Sequence, residues 1–281
     1  NKGYYKDAGL DVDIIEPGDN ATTSMVAAGK ADFGVSYQED VTYALTSEDP
    51  LPIKTIATII QHNTSGFVSL KSANINSVKD FEGKTYAGWG APSEEAVIKA
   101  VMNEAGADFS KLNIVGSDGS GIAGLSDEVG KNKVNLGWEF YGWAVIKALQ
   151  DGYDLNYIPL ADLDSRLDYY TPVIITNNKM IKKNSDTVKK FMEATKKGYE
   201  YAIDHPSKAA EILHEDALSD TDLKFLKESQ KYLSSQYAKD ADSWGVMKDS
   251  VWDNYTDFMY ETGLISQKID AKDQYTNEFV K

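Results

Sequence analysis

The sequence predicts an α/β protein of two lobes, each a mixed, mostly parallel sheet flanked by helices, with a helical C-terminal part. Three observations predict it. Over the first half of the chain, short β-branched runs alternate with helical stretches, the pattern of strands joined by crossover helices. Beyond Thr176 the pattern becomes almost wholly helical. The length, 281 residues, suits two domains of ordinary size.

In chain order, Leu10–Ile15 is apolar at alternate positions and is followed by Pro17-Gly18, which predicts a strand and a turn. Asn20–Ala28 follows as a helix, with Asn20 as cap and Gly29 as stop. Ala31–Ser36, Ile53–Ile60 and Gly66–Leu70 are the next strands. Lys84–Gly88 is a strand feeding the helix Ala91–Ala105. Leu112–Val115 and Lys133–Trp138 are further strands, separated by a helix around Gly121–Gly130. After the strand Pro172–Thr176, the stretch Ser185–Asp204 carries Val188, Phe191, Met192, Thr195 and Tyr199 on one helical stripe. Ser207–Leu213 and Ser219–Leu233 are helical, the latter opened by a serine cap. Met247, Val251, Tyr255, Phe258 and Met259 form a last stripe that Gly263 ends.

No internal repeat, low-complexity segment or Gly/Ser linker separates these elements, so the lobes are expected to be joined by short strands. A discontinuous first lobe of residues 1–72 plus 171–281, with residues 73–170 inserted as the second, fits the order of elements. Crossings of this kind absorb domain rotation in proteins that close on a ligand.

The net charge of −15 argues against nucleic acid or an anionic membrane surface as partner. The absence of cysteine removes disulfides, thiolate metal sites and cysteine nucleophiles. No apolar run is long enough for a membrane-spanning helix. The opening Asn1-Lys2-Gly3-Tyr4-Tyr5 reads as the end of a helix, so a preceding segment is expected.

Catalytic and metal-binding patterns are missing. The histidines, His62, His205 and His214, show no metal-ligand spacing. No nucleophile elbow, phosphate-binding loop or calcium loop is present. The turn Gly88-Trp89-Gly90 has two glycines of a dinucleotide fingerprint, but lacks the third and places Pro92 in the loop. Aromatic residues instead gather at strand ends: Tyr37 beside Gln38 and Glu39, Trp89 before Ser93 and Glu94, the run Trp138-Glu139-Phe140-Tyr141-Gly142-Trp143, and Tyr169-Tyr170. In open α/β sheets, ligands bind beyond the carboxyl ends of strands. Rings there stack on a planar heterocycle, and Glu, Gln and Ser satisfy its polar edge. A buried carboxylate suits an aminopyrimidine edge because it accepts two N–H bonds. Core or hinge packing is the competing explanation for each aromatic taken singly.

Several of these residues carry a resemblance. Gly3-Tyr4-Tyr5-Lys6-x-x-Gly9-Leu10-Asp11-Val12, followed by Gly29-Lys30-Ala31-Asp32-Phe33-Gly34-Val35, resembles the opening of the receptors for thiamine-pyrimidine precursors, a group with the type II periplasmic-binding-protein fold. Gln61-His62-Asn63-Thr64-Ser65-Gly66, Tyr141-Gly142-Trp143, Asp168-Tyr169-Tyr170-Thr171-Pro172 and Tyr275-Thr276-Asn277-Glu278-Phe279 extend the likeness over essentially the whole chain. The opening pattern is shared with nitrate, sulfonate and taurine receptors; the later runs are more specific to the pyrimidine group.

The resemblance implies an extracytoplasmic solute-binding component of an ABC importer, without catalysis or cofactor. It would be a monomer, periplasmic or anchored as a lipoprotein, that closes two lobes on a formylated or hydroxymethylated aminopyrimidine in thiamine salvage and docks on permease subunits. By the same likeness, Tyr37, Gln38 and Glu39 of the first lobe and Trp89, Ser93, Glu94, Glu139, Tyr141 and Trp143 of the second would bind the ligand, with Tyr170 near the hinge. The group also begins with a strand ending in a Trp-x-Pro-Asn-like loop, which this sequence does not contain.

Two rivals remain. Pyrimidine-synthesising enzymes of the same superfamily carry a lysine and a histidine just after the Gly34-Val35 equivalent and a cysteine-rich run before the returning strand. Here Ser36 and Asp40 stand in the first two places, and Leu167–Thr171 has no cysteine. A receptor for another small heterocycle or amine is the other rival. An anion receptor would want Arg or Lys at the cleft, yet the only arginine is Arg166 and the clusters are acidic and aromatic.

Overall fold

The computed structural model describes residues 1–18 and 21–280, and within them the chain forms two compact units. The first comprises Asn1–Asn63, Tyr169–Tyr260 and Ile265–Lys281; the second comprises Thr64–Asp168 and Glu261–Leu264.

The first unit holds strands β1 (Phe33–Ser36) and β2 (Ile53–Thr58). The second holds β3 (Ser65–Leu70), β4 (Thr85–Gly88), β5 (Asn113–Gly116), β6 (Leu136–Phe140) and β7 (Leu155–Pro159). The chain then returns to the first unit with β8 (Val173–Asn177). The expected first crossing followed residue 72; β3, by its pairing with β6 and β7, counts with the second unit.

In the first sheet the order is β1-β8-β2, with β8 antiparallel to both neighbours. Every residue of β8 is buried, because both faces of this central strand are covered. Its side chains alternate between two cores. Ile174 packs with Ile56, Val188, Met192 and Trp244. Val173 and Ile175 pack with Val26, Val41 and Trp252. The amphipathic helix Ser185–Asp204 supplies Val188 and Met192 at i, i+4, as its stripe predicts, and the helix Asp249–Glu261 supplies Trp252.

The second sheet has the order β5-β4-β6-β3-β7. Parallel pairing is confined to β4 with β5 and β4 with β6, whereas β3 runs antiparallel to β6 and β7. The mixed α/β architecture is as expected, but antiparallel ladders outnumber parallel ones. They belong to β3 and β8, the strands beside the passages of the chain between units. Phe67 of β3 meets Phe81 and Tyr86 edge-on in the core.

Local differences have local causes. Leu10–Ile15 forms no strand, and Ile14 is 93% exposed; alternation alone supplies no ladder without a neighbouring strand. Asn20 lies outside the described residues, and the helix after it runs Thr22–Ala27 from Ala21. The helix expected at Gly121–Gly130 is one 3₁₀ turn, Gly121–Gly124, followed by loop, because glycines there take left-handed backbone angles. The helix expected from Ser219 starts at Leu223, where Asp222 accepts hydrogen bonds from the Lys224 and Phe225 N–H groups. β7 was not foreseen; its short LNYIP run shows little alternation. No helix among the described residues is long and apolar enough to cross a membrane.

Candidate functional site

In the second unit, β4 and β5 pair in register from Thr85–Asn113 to Gly88–Gly116, so both end at the same level, and β6 runs parallel beside β4. Along this face lies a groove of about 700 Å³. Its lining includes Thr85, Trp89, Asn113, Ser117, Trp138 and Glu139. The Trp89 and Trp138 rings meet at 5.2 Å and 62°, with Trp138 braced by Phe67 at 5.7 Å. Trp89 remains 58% exposed and offers apolar area to a ligand.

Glu139 is half-buried beside this aromatic wall, and its carboxylate has no hydrogen-bond or ion-pair partner among the described residues. Burial alone pushes its carboxyl above the usual range. The carboxylate is thus partly desolvated, lies in the groove and is not engaged by the fold, which leaves it able to accept from a ligand.

Glu94, the third residue of the helix Pro92–Glu104, is differently placed. It is buried, and it accepts from the Tyr86 hydroxyl, from the Trp89 N–H at 3.2 Å and from the Gly90 N–H at 2.9 Å. Burial and this bond to Glu94 raise the Tyr86 hydroxyl far above its usual range, so it acts as the donor. Ser93 is buried beside it. After β6 the chain makes one π-helical turn, Tyr141–Val145, a rare geometry that recurs at functional sites. There Tyr141 packs edge-on to Tyr157 at 5.1 Å, while Trp143 is half-exposed; neither lines the groove.

The first unit places its predicted residues otherwise. Tyr37 is exposed ahead of the helix Gln38–Thr46. Gln38 is fully buried: its Oε1 accepts from the Tyr170 N–H at 2.8 Å and its Nε2 donates to the Val251 carbonyl at 3.2 Å. Tyr170 is in the core, its hydroxyl accepting from the Lys248 N–H at 2.9 Å. Both residues therefore hold the fold. Glu39 accepts from the Tyr255 hydroxyl at 3.1 Å, and Tyr255 stacks on Tyr169 at 4.0 Å. Burial, then the neighbouring Asp40, push the Glu39 carboxyl up to about 7 against the Tyr255 hydrogen bond.

A second hollow, of about 520 Å³, lies in the first unit around Lys54, Lys182, Lys272 and Tyr275. Much of its polar lining is already engaged. Lys54 donates to the Lys272 and Asp273 carbonyls, Tyr275 donates to Asp249 at 2.6 Å, and Asn277 is bonded to Met247 through both ends of its amide. The groove of the second unit is thus the stronger candidate. It brings together Trp89 and Glu139 from the predicted set. Trp138 stood in the aromatic run but not among the predicted site residues, and Ser117 and Gly121 were not singled out; the strand-end rule, had it been applied to the end of β5 as well, was the signal that could have found them.

Comparison with known proteins agrees with this architecture. The family model described as NMT1/THI5 like matches residues 1–209. The formylaminopyrimidine-binding protein of Halalkalibacterium halodurans is 28% identical over 217 residues, 75% of this chain; the chain spans 62% of that relative's length. The riboflavin-binding protein RibY of Chloroflexus aurantiacus is 25% identical, covering 99% of this chain and 80% of its own. The 4-amino-5-hydroxymethyl-2-methylpyrimidine phosphate synthase THI13 of Saccharomyces cerevisiae is 26% identical, covering 99% and 81%. Among solved structures, the periplasmic sulfonate-binding protein SsuA of Methylobacillus flagellatus superposes with a TM-score of 0.65 at 15% identity, over 92% of this chain and 76% of that one. That likeness shows the fold, that of periplasmic binding proteins.

Proposed function

This chain belongs to the NMT1/THI5-like family, and from that premise we propose that it is the solute-binding component of an ABC importer, with a thiamine-precursor aminopyrimidine as ligand. One observation carries the reading: the unbonded, half-buried Glu139 carboxylate beside the Trp89–Trp138 wall. An aminopyrimidine presents a flat face to an indole and an N–H edge to a carboxylate. A ligand that donates N–H to Glu139 as the groove is covered gains a charge-assisted hydrogen bond that an isostere without the donor would forfeit.

In this reading the protein works outside the cytoplasmic membrane, periplasmic or lipid-anchored, as a monomer that delivers its ligand to permease subunits. Closure of two lobes on the ligand belongs to the same proposal. A ligand drives closure only by its differential affinity for the closed form; compaction in small-angle scattering on ligand addition tests it.

The synthases among the relatives define the rival reading. What speaks against it is the resemblance drawn from the sequence, by which Ser36 and Asp40 would take the places of those enzymes' lysine and histidine; here the Ser36 hydroxyl donates to Asp40 at 3.5 Å. Calorimetric titration with formylaminopyrimidine, hydroxymethylpyrimidine, thiamine, riboflavin, taurine and pyridoxal phosphate decides between them. One-to-one binding of a pyrimidine, without pyridoxal phosphate, is the expected result. Riboflavin as the tightest ligand would replace the ligand class, and pyridoxal phosphate binding would restore the enzyme.

A further inference from the structure

We propose that Glu94 is a positioning residue: it holds the Gly88–Gly90 turn from beneath and so fixes the Trp89 side of the aromatic wall, without itself touching the ligand. The relevance to binding rests on the function proposed above; the holding role does not.

Three donors converge on this one buried carboxylate. The Tyr86 hydroxyl comes from within β4, and the Trp89 and Gly90 N–H groups come from the turn that follows it. Glu94 also stands in the first turn of the helix Pro92–Glu104, where the helix end favours negative charge. It reaches back past its own helix start to backbone N–H groups that have no ladder to join, an extended form of the capping box. The fit is close. A Cβ at Gly88 would come within 2.2 Å of the Glu94 carboxylate, so the strand end has been kept bare to admit it. Gly90 takes a φ of +82°, which turns the chain sharply beyond Trp89.

The outcome is an exposed indole on a fixed backbone. Trp89 keeps more than half of its surface exposed and meets Trp138 edge-on, yet its main chain is bonded to the buried Glu94 carboxylate. A large apolar side chain held ready in this way binds without the entropy cost of ordering a mobile turn. The carboxylate that can meet a ligand is Glu139; the one that cannot, because its oxygens are already occupied, is Glu94.

The test does not require the ligand to be known. Two indoles at this separation and angle couple excitonically, and circular dichroism of the whole protein reports the coupling. Its contribution is identified by what Trp89→Phe removes. Glu94→Gln keeps one acceptor oxygen, which can still serve Tyr86 and Trp89, but sets an N–H donor against the Gly90 N–H, so the turn loses part of its hold and the couplet should fall towards the Trp89→Phe level while the far-ultraviolet helix signal persists. Tyr86→Phe is the control for a merely structural role. It also removes a hydrogen bond from Glu94 and lowers stability, but leaves both turn contacts and should keep the couplet. With an aminopyrimidine as probe, Glu94→Gln should bind roughly tenfold more weakly through lost preorganisation.

A full couplet in Glu94→Gln, or its equal loss in Tyr86→Phe, would overturn the proposal. Loss of the couplet in Glu94→Gln alone, in a protein whose wild type binds no pyrimidine, would sustain the holding role and reject the function proposed for the groove.

Discussion

Glu39 and Glu139 make the most instructive pair in the molecule. Each sits near a strand end in an acidic and aromatic stretch, and burial raises the carboxyl of each. In the first unit, Glu39 is met by the Tyr255 hydroxyl, and its neighbour Gln38 has both amide ends bonded to distant backbone. In the second unit, the Glu139 carboxylate has no hydrogen-bond or ion-pair partner among the described residues. The two stretches read alike as sequence. They differ in whether the fold itself uses the polar groups, and a group left unused after folding is the better guide to a binding site.

The largest test of this contrast is Gln38→Ala. It strands the Tyr170 N–H and the Val251 carbonyl in the core, and should cost about 2–4 kcal/mol of stability by denaturant unfolding, with ligand affinity in the surviving folded protein unchanged. A matching loss of affinity would bring the first unit's cluster back as a ligand site.

Next comes the pH dependence of Glu39. Its folded-state value, about 7, lies above the ordinary 4.5, so the folded protein holds this proton more tightly than the unfolded chain. The stabilisation is present in full below about 4.5 and is lost as pH rises towards 7, at most about 3 kcal/mol over that window. Glu39→Gln should flatten that part of the stability–pH curve; an unchanged slope would show that Glu39 is not the group responsible.

Glu139→Gln should weaken pyrimidine binding by roughly 1–3 kcal/mol with little change in stability, since no protein partner is lost. The opposite pattern, reduced stability with affinity intact, would collapse the distinction between the two carboxylates. Smallest is Trp143→Phe, expected to shift affinity by no more than about 0.5 kcal/mol because the residue lies outside the groove lining; a larger loss would extend the site to the π-helical turn.

What could be read from the sequence follows the range of the interactions involved. The helix Ser185–Asp204 was legible to the residue, since a 3.6-residue stripe is a local signal. Leu10–Ile15 carried an equally clear two-residue alternation and formed no strand, because a ladder depends on a neighbour that no local window displays. The strand-end rule led to the groove and to Glu139. It could not separate Glu139 from Gln38, whose partners lie 132 and 213 residues away along the chain. Nor could it show that Glu94 lies under the turn rather than on the groove wall, which depends on the bare Cα of Gly88.

The central place of β8 has a consequence for synthesis. β1 and β2 do not pair with each other; both pair with β8, which is made only after the whole second sheet has been translated. The second sheet, by contrast, draws all its strands from one uninterrupted stretch. On the ribosome, β1 and β2 are therefore both made long before Val173–Asn177, the strand that joins them, whereas the second sheet can be completed before β8 is reached.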